Sequence, residues 1–437
     1  MSSVGPKTTY CDVLIVGAGI FGTSTAYHLS LTHPDPSRVV ILDRAPFPSP
    51  EAAASDINKI IRADYCSALY MDLAFEAMDA WSSWDFFKPF YHRTGWLVLD
   101  ETTSDLSERI RKNLRESRRP DPCEDISLEE VKTRWDGILS GINTTDYNKA
   151  YTNPTAGWCD ASLAVEAMMK EATEKGVKYE VGEVDGLVGG EHGLFGIKTS
   201  DDRMFCGKKI LLATGAWTPW LMAPLEESLE INKDDSIDRQ ISTAGVCVAA
   251  FTLSSDQEAE HYGKMPVLIY GSQGEVMPPN RDKMFKFTNA NAFKNTVTHP
   301  CGKEISVPPK TPQDLVPQAL KDESISIIRD RIPQILEYGR LPDYWRLCWD
   351  AVSPDQNQLI CQHPDARLSN LYLATAGSFH SWKFLPTIGK YVANVLNGVS
   401  NGKSKDEAWK WKTEWNSRGA NEMVLPSEEL SRFDEMS

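Results

Sequence analysis

Three glycines, Gly17, Gly19 and Gly22, stand between the apolar run Asp12–Val16 and a segment from Thr23 to Leu31 that reads as a helix. A second apolar run, Val39 to Leu42, ends on Asp43. Strand, glycine turn, helix, strand and acid in this order predict a dinucleotide-binding unit. Gly17 would permit the tight turn, Gly19 would let a pyrophosphate approach the backbone, and Gly22 would let helix and strand pack closely. The phosphates would then sit on the unpaired N–H groups at the helix start, with Asp43 accepting hydrogen bonds from an adenosine ribose. These residues alone leave NAD and FAD equally open. A second concentration of polar and basic residues, Ser55 to Tyr65, contains Lys59 and Arg62 and has little helical periodicity. It suits the lining of a site better than the filling of a core.

Composition sets outer limits on this chemistry. The 437 residues suffice for two domains and a sizeable core, and 41% hydrophobic with 24% charged residues is ordinary for a globular chain. A formal charge of −15 argues against binding nucleic acid through its phosphates. The apolar runs are strand-sized, so no membrane span is expected. The nine cysteines show no CxxC pairing, and the eight histidines show no metal-binding spacing; no metal site is predicted. The segment before Asp12 has no apolar signal-peptide core, and Met436-Ser437 is no Ser-Lys-Leu ending, so a cytoplasmic location is the default.

The elements that must position these residues can be read from periodicity. Pro46 to Ala54 is a loop, Leu69 to Trp84 an amphipathic helix, and Thr94 to Leu99 a strand. The charged stretch 101–153 reads as an excursion containing a helix from Leu128 to Arg134 capped by Ser127. A helix from Leu163 to Lys175 and a short strand, Val177 to Glu180, precede a buried strand, Lys209 to Ala213, that closes on Thr214-Gly215-Ala216. Between Ile241 and Ile305 the pattern changes to alternating strands, Val246 to Phe251, Val267 to Tyr270 and Met284 to Phe287, which suit an antiparallel sheet in a second domain. A helical stretch from Asp314 to Arg331 follows, then the strand Asn370 to Thr375. Trp409, Trp411 and Trp415 suggest that part of the polar tail packs back, and Arg418 in that tail reads as solvated rather than reaching a site.

The block Arg346 to Asp355, His363-Pro364, and Thr375 to Pro386 resembles the C-terminal signature of the fructosyl amino acid oxidases, or amadoriases, and their relatives the monomeric sarcosine and pipecolate oxidases. The similarity also takes in the glycine turn, Asp56-Ile57-Asn58-Lys59-Ile60, Leu212 to Trp217 and the residues around Lys286. It implies an α/β chain of p-hydroxybenzoate-hydroxylase-like architecture, a Rossmann-type FAD-binding domain with a mostly antiparallel substrate domain. Residues 1–95, 155–225 and 340–400 would form the former, 96–154 and 226–339 the latter, and 401–437 the tail. The cofactor implied is FAD, covalently attached through Cys348 as a thioether; taken alone, a cysteine there would be a small buried hydrophobe. Ile20, Phe21, Arg44, Ser55, Asn58, Lys59, Ala213, Gly215, Trp217, Ser378 and His380 would join Gly17, Gly19, Gly22 and Asp43 in holding it. Lys383 would stand close to the flavin and the substrate, and Lys286 above the flavin ring to promote reaction with O₂. By itself Lys286 would be the exposed face of an alternating strand.

Two departures from the fructosyl oxidase pattern concern substrate. Arg62 stands where sarcosine oxidases place a carboxylate-binding arginine, so Arg62 and Lys383 would clamp an α-carboxylate. The Asp-Glu pair that follows the lysine in fructosyl oxidases is replaced by Asn289-Ala290, which removes an acceptor for sugar hydroxyls. The resemblance thus implies an FAD-dependent oxidase of an N-methyl, N-alkyl or cyclic secondary α-amino acid, with Lys286, Lys383, Arg62 and Lys59 as its catalytic set. A secondary amine and O₂ would be its partners, an imine and H₂O₂ its products, and a monomer its form. The alternatives are a deglycating fructosyl amino acid or peptide oxidase, a tailoring oxidase whose iminium closes a ring, and, from another class, a flavin-binding scaffold. Ala376 and Phe379, where the family usually has glycines, would reshape the wall near the flavin.

Overall fold

The computed structural model describes residues 7–117, 119–190, 193–414, 425–426 and 428–435. Trp415 and Arg418 lie outside the described residues. The apolar run at the N-terminus forms the strand Thr8–Val16, hydrogen-bonded in parallel to Val39–Asp43 on one side and Met204–Leu212 on the other. Leu14 and Ile15 are wholly buried, as expected of a strand covered on both faces. Lys178–Val181 extends the parallel set beyond Val39–Asp43, and Leu371–Thr375 joins the C-terminal half of Met204–Leu212. An antiparallel hairpin, Val184–Gly190 with Gly193–Thr199, takes the other half of that edge. Its glycine-rich sequence carries little alternation, which is why it is invisible to periodicity.

A second sheet of nine strands runs in the order Tyr344–Val352, Ser242–Thr252, Met284–Lys294, Gly274–Met277, Val267–Tyr270, Trp96–Glu101, Tyr147–Asn153 and Glu124–Ile126, with Glu428–Glu429 beside Met284–Lys294. Its pairings are antiparallel except Val267–Tyr270 with Trp96–Glu101 and Glu428–Glu429 with Met284–Lys294. The strand Tyr344–Val352 belongs to this sheet, paired with Ser242–Thr252. Its nearly continuous burial from Arg346 to Val352 suits either sheet; partner choice decides.

Side chains alternate faces along each strand. Leu97, Leu268, Phe251, Phe285 and Phe287 pack a core with Ile328 of the helix Gln318–Arg331 on one face of the second sheet. That helix begins after Pro317, not at Asp314, because proline restricts the residue before it and suits a helix start. The helix Leu128–Thr133 carries the Ser127 cap, closed by Glu130 in a reciprocal capping box. Trp409 is buried against Tyr70, its indole N–H 3.3 Å from the phenol oxygen. No helix among the described residues is long and apolar enough to cross a membrane.

Candidate active site

The opposite face of the second sheet and the C-terminal ends of the parallel strands enclose one cavity of about 900 Å³. This is at the upper end of the roughly 300–1,000 Å³ usual for small-molecule sites. It runs from Gly17, Gly19 and Asp43 past Ala213, Gly215 and Trp217 to Cys348, Lys286, Arg62 and Lys383.

At the nucleotide end, Gly17 has φ +98°, and a side chain there would meet the Ala213 carbonyl at 2.5 Å. A side chain at Gly22 would lie 1.9 Å from the Gly17 carbonyl oxygen. Gly19 and Gly215 instead face open space. The turn is thus closed behind and open in front, with the start of the helix Ile20–Thr32 facing the cavity through Ile20 and Phe21. Asp43 accepts the Ala18 N–H at 2.7 Å, which ties the second strand's end to the turn. Arg44 lies over the Trp217 ring, 4.3 Å from its centroid, and bonds Glu51 at 3.1 Å. This end therefore fits a pyrophosphate and an adenosine, and Cys348 on the cavity wall fits the thioether position that the resemblance implies.

The sheet wall follows directly from strand register. Val98 stands opposite Ile269, Ile269 opposite Glu275, Glu275 opposite Thr288, Thr288 opposite Val248, and Val246 opposite Cys348. All seven line the cavity, with Lys286 and Ala290 two residues either side of Thr288. Lys286, 1% exposed, donates to Asp56 Oδ2 at 2.9 Å and to the Asn58 carbonyl at 3.0 Å. Lys59 meets the same carboxylate oxygen at 2.7 Å. Burial alone would push the Asp56 carboxyl up; Lys286, Lys59 and Arg346 together hold it well below the usual carboxylate range. Lys286 is therefore no bare ammonium on an exposed face but one member of a buried charge cluster with a net positive sum.

Across the cavity, Lys383 sits in the short 3₁₀ turn Trp382–Phe384 and donates to the Tyr65 phenol at 2.9 Å and the His380 carbonyl at 2.7 Å. Burial and the nearby Arg62 push its ammonium well below the ordinary lysine range. Arg62 stacks on the same residue, its guanidinium carbon 4.4 Å from the Tyr65 ring and 4.7 Å from that of Trp96, and donates to the Asp64 carbonyl. The Asp64 carboxylate accepts from Tyr151 and Asn153 instead. His380 bonds the Gln356 carbonyl at 2.8 Å, and burial with the neighbouring Lys383 pushes its imidazole down to about 3. It is a neutral ring at working pH.

Ser55, Asn58 and Ser378 do not line the cavity. Ser55 donates to the Ser49 carbonyl at 2.6 Å, Asn58 to the Pro278 carbonyl at 3.0 Å, and Ser378 to the Ala376 carbonyl at 3.3 Å. Their side chains hold the loops that carry the wall. Ala376 and Phe379 adopt φ of +60° and +59°, so the turn keeps the left-handed backbone that glycine would favour, pinned by the Phe379 N–H to Asp350 at 2.8 Å. Each such residue costs about 1–3 kcal/mol. Three participants were not legible as such beforehand: Asp56 as the common anion, Arg346 as the clamp on the carbonyls of Pro50 and Ala52, and Glu275. The Asp56–Lys59 spacing was a usable signal. Glu275 was hidden because its strand, Gly274–Met277, is four residues long between a turn and two prolines.

Comparison with known proteins fits this geometry. The chain is 26% identical to the L-saccharopine oxidase of Schizosaccharomyces pombe, over 92% of this chain and 93% of that one. It is 23% identical to the peroxisomal sarcosine oxidase of Homo sapiens, over 87% and 90%. The crystal structure of the deglycating fructosamine oxidase Amadoriase II from Aspergillus fumigatus superposes with a TM-score of 0.80 at 25% identity, covering 93% of this chain and 90% of that one. Residues 12–395, which hold the glycine turn and both walls of the cavity, match the FAD dependent oxidoreductase family, and the chain belongs to that family.

Proposed function

We propose that the substrate is an N-substituted α-amino acid, oxidised at a C–N bond to an imine with release of H₂O₂. The observation that carries this reading is the pair Arg62 and Lys383, which both contact Tyr65 inside the cavity, one over its ring and the other at its phenol oxygen. Two cations there can take both oxygens of an α-carboxylate, and the planar guanidinium supplies the bidentate contact. FAD, when bound, supplies the two-electron acceptor and the reactivity of its reduced form towards O₂. Cys348 would hold it covalently, with the thiol already on the cavity wall.

The chain's own residues have three tasks. Arg62 and Lys383 fix the carboxylate, and so the orientation of the neighbouring C–N bond. The surrounding cations disfavour a protonated amine close to them, so the nitrogen is held in the neutral form that oxidation requires. Lys286, locked by Asp56, keeps a fixed positive charge where negative charge develops during reoxidation. No side chain needs to act as a dedicated base. Water then hydrolyses the imine.

The absence of an acid at Ala290 sets this reading apart from a fructosyl amino acid oxidase. A peroxide assay over sarcosine, N-ethylglycine, pipecolate and fructosyl-valine tests it. Fastest turnover is expected among the first three, and a higher kcat/KM for fructosyl-valine would replace this reading with the deglycating one.

A further inference from the structure

Glu275 lies on the sheet wall of the cavity, as do Asp100, Glu101 and Asp350. Register places it opposite Thr288, on the same face as Lys286 and Ala290. Strand spacing and rise put its Cα roughly 8 Å from that of Lys286. Its one hydrogen-bond partner among the described residues is the Thr288 hydroxyl, 3.3 Å from Oε1. The fields of Lys59, Lys383 and Arg331 reach it, yet none of them forms an ion pair with it. A cavity-facing carboxylate with one long hydrogen bond has capacity for a further donor.

The cavity is also asymmetric in charge. Arg62, Lys383 and Lys59 gather at one end. The turn just before Glu275 is bonded to Glu101, which accepts from the Ser272 N–H at 2.9 Å and its hydroxyl at 2.7 Å, and Asp100 and Asp105 line the cavity beside it. An anionic head at the first end and a cationic tail at the second match this field.

Resting on the carboxylate-clamp reading above, we propose that Glu275 binds a primary ammonium on the substrate's N-substituent, so that the preferred substrates are N-(aminoalkyl) amino acids. The carboxylate would take a charge-assisted hydrogen bond from the ammonium.

The test uses the flavin-loaded enzyme and two kinds of ligand. N-(5-aminopentyl)glycine and N-hexylglycine differ only in NH₃⁺ for CH₃ and are compared as substrates. The corresponding S-(5-aminopentyl), S-(5-hydroxypentyl) and S-hexyl thioglycolates cannot be oxidised at nitrogen and are compared as binders by the perturbation of the flavin spectrum. The wild type should favour the aminopentyl compound by about 10- to 100-fold over the hexyl one, the range of a hydrogen bond to a charged group. Glu275→Gln should collapse that ratio towards one. An equal loss for all ligands in Glu275→Gln would place Glu275 at the shared glycine part and overturn the proposal, as would equal binding of the hydroxypentyl and aminopentyl thioethers. If none of the amines is turned over while the thioethers keep the predicted order, the oxidation reading fails and the Glu275 assignment stands.

Discussion

Arg62, Lys383 and Cys348 each make a separable claim at the scale of the residue. Arg62→Ala removes the planar half of the carboxylate clamp, and KM for an N-methyl amino acid should rise about 10- to 100-fold, with kcat falling less; an unchanged KM in steady-state kinetics would exclude the clamp. Lys383 adds a pH signature. Burial and Arg62 push its ammonium down, so in the free enzyme it loses its proton well below the ordinary lysine range. A carboxylate binds the protonated form better. Affinity for a thioether carboxylate, followed by the flavin spectrum, should therefore weaken as pH rises through that lowered value, and Lys383→Met should flatten the profile. For Cys348, acid precipitation of the wild type should leave the yellow colour with the protein, and Cys348→Ser should release it to the supernatant. Release from both would rule out the covalent bond.

These residues depend on the tie between the wall strand Met284–Lys294 and the loop before the short strand Asn58–Ile61, which itself pairs with Gly157–Asp160. Asp56 ties the two through Lys286 at 2.9 Å and Lys59 at 2.7 Å. Removing one partner of a buried ion pair leaves charge uncompensated and costs about 3–5 kcal/mol. Asp56→Asn should lower stability by that order in urea unfolding, a larger effect than Arg44→Ala at its half-exposed pair with Glu51. The sign with pH follows from the shifts. Asp56 is held low, so its contribution is complete above the unfolded carboxylate value near 3.9 and is lost as pH falls through its folded value. Lys59 is raised, chiefly by Asp56 against the opposing effect of burial. Its contribution is complete below about 10.4 and is lost as pH rises through its folded value. The cluster therefore supports the fold across the neutral range and weakens at both extremes.

At the scale of the whole molecule, the cavity lies between two sheets that each have a core, one around Ile15, Ile41 and Leu211 and the other around Leu97, Phe285 and Phe287. A ligand filling that cavity touches both. One that binds only the folded chain adds about 4 kcal/mol at a thousand times its dissociation constant. Cys348→Ser stripped of FAD should therefore melt well below the same variant reloaded with FAD in differential scanning calorimetry. Equal midpoints would show that the sheets hold together without the cofactor.

The sequence by itself determined the glycine turn, the acid at the end of the second strand and the change from parallel to antiparallel patterning, because each is written in local spacing, whereas it marked Arg62, Lys286, Cys348 and Lys383 only through the resemblance to a known family. Tertiary structure decided which sheet the Cys348 strand joins, since a nearly continuously buried strand serves either and only the partner in space settles it. It turned Lys286 from a strand's apparent outer face into a buried member of a charge cluster, because the second sheet's outer face is covered by the first domain. It also moved Ser55, Asn58 and Ser378 behind the wall and brought Glu275 onto it. A side chain's face depends on strand register, and register across non-neighbouring segments is fixed by long-range pairing that no local pattern contains.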